Sequence, residues 1–288
     1  MKKYRIENEY LSVEISELGA ELTSIFNKKT GREMMWQPND EVWSSQAPVL
    51  FPLIGRLKSQ KYVLGGKEYE IASHGFALNS MFSVADEAAD SISFFITDTD
   101  ETLASYPFHF KFTVKYSLDG ATLEKKHTVV NLSENIMYYE VGGHEGYALE
   151  NIEDYYLKFE NPDYLTLHTT DESIMLNRET SKISLENGKL PLSMELFAND
   201  ALILEGVEGS KVELCNQNGR VLMVSFPGIE YLGIWTRYRE YDTKYVCIEP
   251  WSALPDGNYL DYELVNKVGV SALKPGERNT HTYYISVE

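Results

Sequence analysis

Two cysteines, Cys215 and Cys247, are all the thiols this 288-residue chain contains. That is far short of a disulfide framework, so a reducing compartment is the simpler expectation. Basic residues are also scarce: 26 Lys and Arg stand against 44 Asp and Glu, a formal net charge of −18. Nucleic acid and anionic membranes are recognised through basic patches, so neither is an expected partner. A highly anionic polymer is not an expected substrate for the same reason, although a local basic pocket for one phosphate stays open. No stretch approaches the roughly 18 apolar residues of a membrane span. The opening MKKYRIENEY has Lys2, Lys3 and Arg5 but no apolar segment behind them, unlike a secretory signal. The expectation is a soluble cytoplasmic protein.

Several catalytic signatures are missing as well. There is no G-x-x-x-x-G-K loop, no G-x-G-x-x-G after a strand and no G-x-S-x-G elbow. His144-Glu145 opens like a zinc-protease helix, but Ala148 stands where the second histidine belongs. The six histidines show no paired spacing, so metal-dependent chemistry is not expected.

Helical periodicity is rare, and what replaces it is alternation. Leu11 to Ile15 and Leu22 to Phe26 alternate, and Asn27 to Gly31 reads as a turn leading into Glu33 to Trp36. Four hairpins are expected. Lys61 to Leu64 and Lys67 to Ile71 flank Gly65-Gly66, and Phe110 to Leu118 and Ala121 to Val130 flank Asp119-Gly120. Lys211 to Cys215 and Val221 to Phe226 flank Asn216 to Gly219, and Lys274-Pro275-Gly276 joins Val270 to Leu273 with Thr280 to Val287. One short helix is expected over Glu101 to Ser105, capped by Asp100 and ended by Pro107. With 43% hydrophobic residues and no linker or repeat, the chain reads as one all-β domain over residues 1–288. A large antiparallel β-sandwich with few short helices fits best. The 20 tyrosines suit strands, and they also suit sites for polar ring-shaped ligands.

The stretch YVCIEPWSALPD, Tyr245 to Asp256, concentrates the chemistry. It predicts a strand that delivers Glu249 at its last residue, on a sheet edge, with Pro250 stopping the ladder. A carboxylate on rigid backbone beside loops suits a base, whereas an isolated glutamate is more commonly a cap or a surface acid. Arg56 follows the apolar run Pro52-Leu53-Ile54, where it is either a snorkelling side chain or a donor fork for a hydroxyl-rich ligand. His74, beside Gly75, is either a satisfied core histidine or a group closely approached by ligand. His144 lies among Gly142, Gly143 and Gly146, on a loop read as flexible, and suits proton donation near neutral pH. Asp200 heads the apolar run Ala201 to Leu204, as a turn cap or a site acid. His109, His127, His168 and His281 read as structural.

GRL at Arg56, SHGFA at His74, VGGHEGY at His144, NDALIL at Asp200 and CIEPW at Glu249 run in that order. The series resembles the aldose 1-epimerase (galactose mutarotase-like) superfamily, in its LacX-like branch, over nearly the whole chain. The resemblance implies a β-sandwich with a sugar site on its concave face and no cofactor. It implies a hexose as the partner, free or phosphorylated; a monomer or weak dimer is expected because many sandwiches of this size work as monomers. Glu249 would be the general base at the anomeric hydroxyl and His144 the general acid at the ring oxygen, the two standing on opposite sides of the C1–O5 bond. Arg56, His74 and Asp200 would bind hydroxyls, and Trp251 or Trp235 would cover an apolar sugar face. The histidine loop departs from the family pattern, with Gly143 before His144, and Glu145 and Tyr147 after it. Glu145 is expected to raise the pKa of His144. A non-catalytic sugar-binding module on the same scaffold is the alternative, and a glycoside hydrolase using Asp200 and Glu249 a more distant one.

Overall fold

The structure is a computed structural model and describes residues 1–160, 163–238 and 243–288. Its strands form because apolar residues at every second position give each one a face to bury. Phe110–Asp119 and Thr122–Asn131 show this plainly: burial alternates residue by residue along both. Their turn falls on Gly120 and Ala121, one residue later than the sequence suggests.

These two strands lie in a nine-stranded sheet. Its spatial order is Lys189–Pro191, Tyr155–Lys158, Lys211–Asn216, Gly219–Ser225, Arg278–Val287, Thr122–Asn131, Phe110–Asp119, Ser91–Thr97 and Ser83–Glu87. A six-stranded sheet runs Glu145–Ala148, Tyr245–Trp251, Tyr231–Trp235, Leu202–Glu205, Tyr164–Thr170 and Leu176–Ser184. The strands within each sheet pair antiparallel. Side chains of the two sheets meet in one buried cluster that includes Phe112, Val114, Tyr147, Ile248 and Tyr283. A four-stranded N-terminal sheet, Lys3–Glu7 to Arg32–Glu33, joins the same cluster through Ile6, Val13 and Ile25. The architecture is the antiparallel all-β sandwich expected.

Three of the four hairpins form, the one at Gly65-Gly66 as read and the other two with the turn shifted by a residue or shortened by one at each end. The fourth does not. Ser271–Leu273 pairs with Met137–Tyr139, whereas Arg278–Val287 runs between Gly219–Ser225 and Thr122–Asn131. A ten-residue strand finds a ten-residue partner in Thr122–Asn131, which a three-residue neighbour across the turn could not supply. The turn at Lys274 to Glu277 redirects the chain instead. The helix spans Asp100–Ser105, and its cap is Thr99 rather than Asp100. Thr99 and Thr102 exchange side-chain to backbone hydrogen bonds, which satisfies two amides at the helix entry. Among the described residues, no helix is long and apolar enough to cross a membrane.

Candidate active site

Tyr245–Trp251 is buried at every position and lies second in the six-stranded sheet, not at its edge. The strand also continues past Glu249. Pro250 stands opposite Leu232, and its carbonyl accepts from Gly143 N at 3.1 Å, so proline costs this ladder only its missing N–H. Alternation sends Cys247, Glu249 and Trp251 to one face and Val246, Ile248 and Pro250 to the other. On the flanking strands, Gly233 stands opposite Glu249 and Trp235 opposite Cys247. Glu145 pairs with Ile248, which brings the preceding residue, His144, beside Glu249. His144 Nε2 lies 3.4 Å from Glu249 Oε2. The two groups are neighbours on one sheet face, where the resemblance had them on opposite sides of the bond to be broken.

The glycines around His144 serve close packing rather than flexibility. A side chain at Gly142 would come within 2.8 Å of the Trp251 ring, and one at Gly146 within 2.6 Å of the Trp43 ring. One at Gly143 would strike the Tyr283 hydroxyl and lie 2.5 Å from Glu145 Oε2. Glu145 points away from His144, into the space between the sheets. There its Oε1 accepts from Lys125 Nζ and from Tyr283 Oη, each at 2.6 Å.

Burial governs the titration of the pair. It pushes His144 down to about 3, helped by the charge of His74, so the expected upward pull from Glu145 is not what sets this histidine. Burial pushes Glu249 well above the usual carboxylate range, with the charges of Glu145 and then Asp200 adding to it. The Trp251 indole N–H, outside hydrogen-bond geometry, works weakly the other way. Among the described residues, both Glu249 oxygens and His144 Nδ1 are buried without a hydrogen-bond partner.

His74 adopts φ +64°, and its Nδ1 accepts from Gly55 N at 3.2 Å. That bond leaves the neutral ring's proton on Nε2, free to donate. Burial, and secondarily the charge of Arg56, pushes His74 down to about 4, which keeps the ring neutral. The His74 and His144 rings meet edge to face, 5.6 Å between centroids. Asp200, at φ +76°, accepts from Trp235 Nε1 at 2.7 Å through Oδ1. Arg56 is exposed at the rim and has no ion-pair partner among the described residues.

Arg56, His74, His144, Asp200, Trp235, Glu249 and Trp251 all line one cavity of about 310 Å³. That volume lies at the lower end of the range for small-molecule pockets. Trp43, Ser45, Thr170 and Ile174 also line it and escaped sequence reasoning. Trp43 packs its ring 5.3 Å from His144 and 5.6 Å from Trp235. Its only signal in the sequence is a tryptophan set in a polar loop.

A profile of aldose 1-epimerase sequences matches residues 2–285. The chain belongs to the aldose 1-epimerase family. Protein LacX (plasmid) of Lactococcus lactis subsp. lactis is 30% identical over 300 residues, covering 98% of each protein. The crystal structure of a galactose mutarotase related enzyme from Lactobacillus acidophilus superposes with a TM-score of 0.95 at 36% identity, covering 100% of this chain and 97% of that one. A galactose mutarotase-like protein from Lactobacillus casei superposes at 0.94 and 27%, covering all of both chains. The sandwich described above is therefore the galactose mutarotase-like fold, and this epimerase family member belongs among its LacX-like relatives.

Proposed function

We propose that this protein is an aldose mutarotase that interconverts the α and β anomers of a free hexose. The observation that carries the reading is the pairing of His144 and Glu249, 3.4 Å apart at the floor of a cavity walled by tryptophan. The two oxygens on an anomeric carbon, the hydroxyl and the ring oxygen, are closer to each other than that. An acid and a base side by side can therefore each reach one of them from a single face.

The proton count suits the chemistry. Burial favours the neutral forms of both His144 and Glu249, so beyond the imidazole N–H the pair holds one titratable proton, on the carboxyl. Moving it from Glu249 to His144 loads the acid and empties the base in one step, with no proton taken from solvent. Glu249 then takes the proton of the anomeric hydroxyl while His144 gives its own to the ring oxygen. The C1–O5 bond breaks and the C1 carbonyl forms. Rotation about C1–C2 and the reverse transfers close the ring on the other face. The proton on His74 Nε2 is available to the ring oxygen as its negative charge grows. Asp200 Oδ2 and Arg56 hold hydroxyls, and Trp43, Trp235 and Trp251 cover apolar sugar faces.

The test is anomer exchange of freshly dissolved α-galactose and α-glucose, followed by polarimetry or NMR. Glu249→Gln and His144→Asn should each lower kcat/KM by about 10²–10⁴-fold with the circular dichroism of the fold unchanged. Normal turnover in both variants would overturn the roles. No acceleration in wild type with these sugars or with hexose 6-phosphates would favour a binding module on the same site.

A further inference from the structure

Cys247 is a buried free thiol beside the pair that proton transfer leaves unused. It lies two residues before Glu249, so its thiol is on the same sheet face, and Gly146 stands opposite it without a side chain. The Cys247 sulfur, a His144 ring nitrogen and a Glu249 oxygen all lie within 4.8 Å of one another. Metal bonds to nitrogen and oxygen of about 2.0–2.2 Å imply a tetrahedral edge of about 3.4 Å. The His144 Nε2 to Glu249 Oε2 separation is 3.4 Å. Sulfur, imidazole and carboxylate are a zinc-type donor set, and three protein ligands leave a fourth position open. A second observation points to the same space. Glu249 is 1% exposed, yet neither of its oxygens has a hydrogen-bond partner among the described residues. Burial keeps this carboxyl protonated, and once its proton leaves, two buried oxygens without donors are what a cation would satisfy.

We propose that Cys247, His144 and Glu249 bind one borderline-soft divalent cation of the Zn²⁺ class, its fourth position facing the cavity, and that cation and sugar exclude each other. As the three bonds form, the thiol proton and the Glu249 carboxyl proton leave to solvent. The lone pairs that would carry protons to and from the sugar are then committed to the metal. Sequence spacing hides such a site, because its ligands come from segments brought together only by the pairing of Glu145–Ala148 with Tyr245–Trp251. Cation binding is independent of the proposed reaction; the loss of turnover rests on it.

The test titrates Co²⁺ alone into the untagged full chain. One equivalent should produce a thiolate-to-cobalt charge-transfer band and tetrahedral visible bands, both displaced by Zn²⁺. Cys247→Ser and Cys247→Ala should lose the thiolate band while keeping sugar turnover. Zn²⁺ should inhibit wild type reversibly, with chelator restoring activity, and at least tenfold more Zn²⁺ should be needed in the cysteine variants. No thiolate band on the folded wild-type chain, or equal Zn²⁺ sensitivity in the cysteine variants, would overturn the proposal. If Co²⁺ binds through the thiolate and no sugar is turned over, the cation site stands and the mutarotase reading falls.

Discussion

Glu249 and His144 differ from free side chains in opposite directions for one reason, which is that neither charge is welcome where they are buried. Raising the carboxyl and lowering the imidazole separates the two limits of activity. On the acid side the pair gains a second proton only as His144 titrates, near 3. On the alkaline side it loses its last proton above the ordinary glutamate range. The pH profile of kcat/KM should therefore show a wide plateau. Asp200 contributes to the upper limit because its negative charge disfavours ionisation of Glu249. Asp200→Asn removes that charge, makes Glu249 easier to ionise and should move the alkaline limb to lower pH while leaving the acid limb in place. A limb that stays put, or moves up, would mean that Glu249 does not set it. Both residues were visible in the sequence as polar groups inside apolar or glycine-rich runs. Their adjacency was not, because it depends on which strand lies beside Tyr245–Trp251.

At the scale of the element, Glu145–Ala148 and the two glycines before it form a tightly packed insertion against Trp251 and Tyr283. Gly143 is not in the left-handed region, so substituting it costs sterics alone. Gly143→Ala should destabilise the fold by about 1–3 kcal/mol, the usual range for overpacking. Because His144 follows directly, displacement by about an ångström should also cost on the order of 10²-fold in kcat/KM. Denaturant unfolding and anomer-exchange kinetics read the two effects separately. Gly120→Ala is the contrast: it meets no neighbour within 4 Å and lies in a hairpin turn, so its φ of +55° strains the turn but activity should hold. Sequence reasoning read this segment as flexible because glycine is equally the residue of loose loops and of tight backbone approach. Local patterns did locate the three hairpins, whose turns carry their own chemistry at Gly65-Gly66, Gly120 and Gly219. They failed at Lys274-Pro275-Gly276, where the turn is local but the partner of Arg278–Val287 is a strand far back in the chain. The parity of Glu145, opposite to that of His144, was implicit in the alternation and is the part most readily read in retrospect.

At the scale of the molecule, the two large sheets are joined through a polar contact inside an apolar core. Lys125 and Glu145 are fully buried and meet at 2.6 Å, with Tyr283 donating to the same carboxylate oxygen. Such a pair need not stabilise the fold relative to apolar residues of similar shape, but breaking it strands one charge in the core. Lys125→Met should cost about 3–5 kcal/mol. Lys125→Met with Glu145→Gln should recover a large part of that, since the amide still accepts from Tyr283 and carries no charge to strand. Purely additive losses in the double variant would mean that the lysine matters by volume alone. The contact also bears on cooperativity. The apolar cluster draws residues from the nine-stranded, six-stranded and N-terminal sheets, and we propose that residues 1–288 form one domain on that account. Unfolding followed by the tryptophans of the cavity and by backbone dichroism should then give one transition with one midpoint. Two separated midpoints would divide the chain, and the sheet carrying the candidate site would have to hold its geometry without the sheet behind it.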